Sequence, residues 1–205
     1  MKDFSRSIII STEINHDVAG AVISHIMDIN QYDFDRKNAL VGYEPEPIEL
    51  IINSNGGSVT DGFAIIGAME ASDTPIITYG MGQVASMALA IFIAGDIRIS
   101  ARHTRYMYHS ISYGMMGHIT EHEDAQVECD LLQRMYDSLM YERTQLSEFQ
   151  LAEIRKMKKN FFMSAKQAKK LGIVDEVLKK PEKKLDIVSA EEYEQVLAEI
   201  SESAN

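Results

Sequence analysis

Residues 49–95 read ELIINSNGGSVTDGFAIIGAMEASDTPIITYGMGQVASMALAIFIAG, and the order of apolar runs and turn signals in them decides the fold. The run 48–52 is short, apolar and closed by Asn53-Ser-Asn-Gly-Gly-Ser58, which predicts a buried strand ending in a tight turn. A helix is expected over 60–71, a second strand over 75–79, a glycine turn at 80–82 and another helix from about Ser86. Strand-turn-helix units with apolar strands predict an α/β fold whose sheet is largely parallel and covered on both faces.

Working outward, Ile8, Ile9 and Ile10 form a β-branched strand signal, and Val18, Val22, Ile23, Ile26 and Ile29 recur at helical spacing over 15–30. Residues 31–47 are polar, hold two prolines and show no period, so they are expected to be a long loop. Beyond Gly95, strand signals occur at 97–100 and 105–109. A long amphipathic helix is expected over 121–143, with Val127, Leu131, Leu132, Met135, Leu139 and Met140 as its apolar stripe. Ser147 with Gln150, and Ser164 with Gln167, are capping-box pairs, Gly172 suits a helix C-cap, and 173–177 reads as a closing strand.

Composition narrows the function classes. Twenty Lys and Arg against 31 Asp and Glu give a net charge of −11, which disfavours nucleic acid. The chain lacks an apolar run long enough to cross a bilayer, so no membrane role is expected. Cys129 is alone, which fits a reducing, cytoplasmic setting, and the N-terminus carries no secretory h-region. From Pro181 onward, seven acidic residues face two lysines, so a protein domain over 1–178 with an acidic extension over 179–205 is expected.

Three places could carry chemistry. The Gly56-Gly57 turn lets backbone N–H groups approach a ligand oxygen, Ser86 stands at a helix start, and His109 ends a strand ahead of a polar loop. Each alone is more often a plain turn, an N-cap or a structural histidine. His103 is the alternative base. His118 and His122, at i and i+4 beside Glu121, Glu123 and Asp124, read as a solvated helix end rather than a metal site. The methionines Met87, Met115, Met116, Met135 and Met140 could line a peptide groove, although packing is the commoner role.

Taken in order, the 49–95 stretch, YMYHSI around His109 and FMSAKQAKKLGIVDEV near the C-terminus resemble the ClpP family, the proteolytic subunits of the caseinolytic protease. The resemblance spans residues 6–178 and is most specific in MGQVASMA around Ser86. It implies a crotonase-like α/β fold of β-β-α units with a protruding handle helix. The implied activity is serine endopeptidase action on peptides or unfolded proteins inside a homo-oligomeric ring, a heptamer in the family. By matching motifs, Ser86 is the nucleophile, His109 the base and Asn160 the third member. Gly57 and Met87 supply the oxyanion N–H groups, and Ser58, Ser112, Gly114 and Gly117 lie along the peptide. The covalent route implies no cofactor and no metal.

Several positions depart from the family pattern. Asn160 stands where the triad Asp is usual: an amide oxygen can orient the imidazole but cannot balance its positive charge. Lys158 and Lys159 replace an acidic and arginine pair that links rings, and Asn55 replaces a proline. The connection after Gly95 is about two residues short. The resemblance implies an AAA+ unfoldase as partner, yet Met1 to Ser5 leave little chain for the axial loops that dock it. The alternatives are a weakly active or silent ring subunit, a capsid-maturation protease on the same fold and, more distantly, an acyl-CoA enzyme of the crotonase superfamily.

Overall fold

The computed structural model describes residues 5–114, 116, 118–157 and 159–179; the acidic extension expected from residue 179 lies outside these but for its first residue. The chain runs β1 (Ser7–Ile10), α1 (His16–Ala39), β2 (Ile48–Ser54), α2 (Val59–Glu70), β3 (Ile76–Ala85), α3 (Met87–Ile93), β4 (Ile97–Ser100), β5 (Arg105–Tyr108), α4 (Ile119–Arg143), α5 (Glu148–Lys156), β6 (Phe161–Ser164), α6 (Ala165–Lys170) and β7 (Glu176–Val177). The sheet order is β1-β2-β3-β4-β7, with β5 pairing β3 and β6. Every pairing is parallel except β5 with β6, which is the α/β architecture expected from the sequence.

The core explains the pattern. Ile48, Leu50 and Ile52 of β2 are fully buried on alternate positions, and all seven residues of α3 are buried, so this helix needs no polar face. The helices pack in succession, α1 on α2, α2 on α3 and α3 on α4. Burial at the 0–1% level for Leu89, Ile91, Phe92 and Ile93 puts α3 at the centre of the core.

Four sequence expectations change. The loop expected over 31–47 is helix up to Ala39, because the inward position after Ile26 and Ile29 is taken by a charge, Asp33, which the apolar period could not count. Asp33 is 2% exposed and pairs with Arg6 of the first strand's lead-in. It also accepts from Thr74 Oγ1 at 2.6 Å and Tyr43 Oη at 2.7 Å. Burial opposes its charge, but these hydrogen bonds outweigh burial and hold the carboxyl below the usual range.

The glycine turn expected at 80–82 is instead a bulge inside one continuous strand. Gly80 pairs Ile52 and Val84 pairs Ser54, so three residues of β3 oppose Asn53 alone. Asn53 Oδ1 accepts from Gln83 N at 3.0 Å. Gly82, at φ 64°, must lack a side chain because a Cβ would lie 2.5 Å from that same oxygen. The bulge marks where β3 exchanges β4 for β5 as its neighbour. The closing strand shrinks to Glu176–Val177, since Ile173 and Val174 are buried without joining the sheet, and β6 is a strand the sequence reading did not separate from its flanks. On α4 the buried residues are Tyr136 and Met140, while Val127, Leu131 and Met135 are exposed.

Candidate active site

Strands β3 and β5 run parallel, so their C-terminal ends lie side by side, the edge at which α/β sheets bind ligands. Ser86 follows one strand and His109 follows the other. Ser86 is the one non-glycine residue with positive φ among the described residues, at φ 53° and ψ −129°. That backbone is strained for an L-residue, typically by about 1–3 kcal/mol. The surroundings enforce it: Ser86 N donates to Met107 O at 2.9 Å, and Ser86 O accepts from Leu89 N and from Tyr136 Oη, each at 2.9 Å. The sharp strand-to-helix turn lifts the hydroxyl out of the sheet. Ser86 Oγ and His109 Nε2 are 2.7 Å apart.

The glycine turn lies against this elbow. A Cβ on Gly56 would come within 2.7 Å of Ser86 Cβ, 2.8 Å of Ala85 O and 2.9 Å of Met87 N. Only a residue without a side chain leaves the Met87 N–H open. Next to it, Gly57 at φ 148° is fastened to the segment after β1: Ile14 N donates to Gly56 O at 2.9 Å and Ser58 N donates to Ile14 O at 2.8 Å. These bonds use the groups on either side and leave Gly57 N–H without an acceptor among the described residues. Met87 opens α3, so its N–H has no acceptor within the helix. Among the described residues, Gly57 N–H and Met87 N–H both lack an acceptor, and the turn that carries the first packs on the serine through Gly56.

On the other side of Ser86, burial holds the His109 imidazole below the usual histidine pKa and so keeps it neutral near pH 7. In the tautomer that carries the ring proton on Nδ1, Nε2 accepts from the serine hydroxyl. The antiparallel register of β5 with β6 ends at Tyr108 opposite Phe161, and one further step sets position 109 opposite 160. Asn160 is nevertheless exposed, and no hydrogen bond joins it to His109 among the described residues. His103, the alternative base, lies in the turn before β5 and contacts Arg102 instead.

Of the residues expected along the peptide, Ser58 caps α2, accepting from Asp61 N at 3.4 Å directly after the Gly56-Gly57 turn. Ser112 and Gly114 lie exposed between β5 and α4, and Gly117 lies outside the described residues. Met87 has its side chain in the core over Gly62 rather than in a groove. A polar cleft lined by Ser11, Thr12, Glu13 and Ser54 adjoins Gly57, and a second, lined by Ile111, Tyr113, Gln126 and Arg134, adjoins the segment after His109. No group of three metal-ligating side chains occurs among the described residues, and no helix among them is long and apolar enough to cross a membrane.

Sequence reasoning singled out the Gly56-Gly57 turn but not the packing of Gly56 on Ser86, and it passed over Tyr136. Gly56 is signalled by the Gly-Gly pair itself, but its contact partner is 30 residues away. Tyr136 lies one turn from Leu132 and Met140 of the apolar stripe, but nothing local signals a task for its hydroxyl.

A family model described as Clp protease matches residues 3–181. Among solved structures the fold is similar to that of an asparagine-to-aspartate mutant of ClpP1 from Listeria monocytogenes. That match has a TM-score of 0.72 and 26% identity, covering 86% of this chain and 92% of that one. The likeness extends the α/β description to the crotonase-like fold.

Proposed function

The chain belongs to the Clp protease family, a family of serine peptidases, and on that premise we propose that it is a serine endopeptidase acting through Ser86, His109 and Asn160. The observation that carries the reading is the 2.7 Å Ser86–His109 hydrogen bond made from a strained elbow, with Gly57 N–H and Met87 N–H lacking acceptors among the described residues. A serine hydroxyl is a weak nucleophile until a base takes its proton. In the proposed cycle Ser86 Oγ attacks the scissile carbonyl carbon as His109 Nε2 accepts the hydroxyl proton. The carbonyl oxygen becomes an oxyanion held by Gly57 N–H and Met87 N–H. The imidazolium then protonates the leaving amine, the C–N bond breaks and an acyl-enzyme remains. Water attacks that ester with His109 again as base, releasing the acid and restoring Ser86.

Asn160 is proposed as the group that orients the ring, its Oδ1 accepting from Nδ1–H once substrate fills the site. Ser58, Ser112, Gly114 and Gly117 are proposed as peptide contacts. Assembly into a homo-oligomeric ring, with peptides or unfolded proteins as substrates, is supported by family membership and by the exposed apolar side chains of Val127, Leu131 and Met135 on α4. A near-silent ring subunit is the second reading, favoured by the exposed Asn160, which has no hydrogen bond to His109 among the described residues.

Labelling with a fluorophosphonate probe separates them. The expected result is covalent modification of the wild type, followed by intact mass, and its loss in Ser86→Ala and His109→Ala. A wild type that does not label while Asn160→Asp labels readily would move the assignment to the silent subunit. Modification that persists in Ser86→Ala would remove the nucleophile.

A further inference from the structure

The bonds around the nucleophile's carbonyl assign a task to a residue on a different element. Tyr136 lies 17 residues into α4, is 2% exposed, and its hydroxyl donates to Ser86 O at 2.9 Å. Its ring is held by Tyr108, with centroids 5.3 Å apart. The register of α4 against α3 is also fixed at the far end. There Arg143 donates to the carbonyls of Ile93, Ala94 and Gly95 at 3.3, 2.8 and 3.0 Å. The two helices run side by side in the same direction, clamped at both ends, so the Tyr136 hydroxyl has little freedom to leave Ser86 O.

The carbonyl of Ser86 and the N–H of Met87 belong to one planar trans peptide, in which C=O and N–H point in opposite directions. Whatever fixes the oxygen therefore fixes the donor. Leu89 N, in the first turn of α3, and Tyr136, from outside that helix, both donate to the oxygen on one side, and Gly56, lacking a Cβ, leaves the nitrogen open on the other. A hydrogen bond to an amide oxygen also polarises the amide and strengthens its N–H as a donor.

We propose that Tyr136 is a positioning residue that orients and polarises the 86–87 peptide, so that Met87 N–H meets the oxyanion in the transition state. The proposal rests on the serine peptidase reading. It adds a residue that touches neither substrate nor the reacting atoms and acts through the main chain of the nucleophile. Ground-state binding of a peptide does not draw on this bond, because the oxyanion forms only on the way to the tetrahedral intermediate.

The test is Tyr136→Phe in the full chain, which keeps the ring packing and removes one hydroxyl, with cleavage of a fluorogenic peptide and fluorophosphonate labelling followed together. The expected result is a kcat and a labelling rate constant each lower by about tenfold, a fraction of the 10²–10³ lost when an oxyanion donor is removed outright. KM and the acid limb of the pH profile, which belongs to His109, are expected to hold. An unfolded fraction would reduce the labelled amplitude rather than the rate constant, so instability does not imitate the effect. Replacing Tyr136 by 3-fluorotyrosine keeps the fold and gives a stronger donor, and is expected to restore or exceed wild-type kcat. The proposal is overturned if Tyr136→Phe keeps wild-type rate constants, if KM alone changes, or if 3-fluorotyrosine falls to the Phe level. A wild type that does not label at Ser86 overturns the peptidase reading itself, a distinguishable result.

Discussion

The nucleophile and the base meet in one 2.7 Å hydrogen bond, but they reach it from unlike surroundings. Ser86 is fixed on every side: by Met107 O, by Leu89 N, by Tyr136 and by Gly56, with α3 fully buried behind it. His109 has Ser86 as its partner, and the described residues from Ser112 to Glu121 are all exposed. Among the described residues two ties join the stretch after His109 to α4: Ile111 N donates to Gln133 Oε1 at 2.8 Å, and Tyr113 Oη donates to Gln126 Oε1 at 3.3 Å. The difference teaches that the attack and oxyanion geometry is built into the core of the fold, whereas the orientation of the base is left to the surface. Changes on the nucleophile side should therefore be severe and insensitive to conditions, and changes on the base side graded and tunable.

The largest expected effect tests whether the two halves work as one unit. His109→Ala is expected to lower kcat by about 10⁶, as much as Ser86→Ala, with the double variant no slower than either. Peptide cleavage calibrated by active-site titration reads it. A His109→Ala variant retaining more than a hundredth of the wild-type rate would mean that another group deprotonates the serine.

Next comes Gly56→Ala. The added Cβ would press on Ser86 Cβ, Ala85 O and Met87 N at 2.7–2.9 Å, in a backbone at φ 101°. We expect kcat to fall by about 10²–10³, the scale of a lost oxyanion donor, while the acid limb of the pH profile stays in place. The matched cut on the base side, Asn160→Ala, is expected to cost no more than about tenfold, a small part of the general-base contribution. Equal losses in the two variants would break the comparison.

How far this contrast was legible in the sequence follows the same division. The parallel sheet, α3 and the Ser86 elbow were legible because they rest on apolar runs and on a motif that is contiguous in the chain. The continuation of α1 to Ala39 was not, since the inward Asp33 is stabilised by Arg6, Tyr43 and Thr74, which are 27, 10 and 41 residues away. The bulge at Gly82 read as a turn because a glycine with positive φ looks the same in either, and only the opposing Asn53 tells them apart. On α4, periodicity selected Met140, which is buried, but also Val127, Leu131 and Met135, which the fold leaves exposed, and it missed Tyr136, whose value lies in a hydroxyl rather than in hydrophobicity. Resemblance of motifs supplied His109 and Asn160. The register of β5 with β6 adds a physical reason for considering them together, because β6 starts at Phe161 opposite Tyr108, so residue 160 comes next in register to residue 109.

Asn160→Asp is expected to change the rate on the same modest scale, and its sign is the informative part. Burial alone now shifts His109, and it shifts it downward, so the base stays neutral and active until the pH falls below the ordinary histidine range near 6.5. A carboxylate at 160 would favour the imidazolium, raising the pKa and moving the acid limb of kcat/KM to higher pH. It would also accept from Nδ1–H in the tautomer that frees Nε2 for Ser86. We expect a gain in kcat of about tenfold at neutral pH, well short of the roughly 10⁴ that separates Asp from Asn in trypsin-type triads, because this side chain sits at the surface where solvent screens its charge. Both quantities come from one pH–rate series on the two proteins. A gain in rate with the limb unmoved would mean that residue 160 acts through local structure and not on the imidazole. A limb that moves down would mean that the carboxylate does not face the ring, and Asn160 would leave the triad.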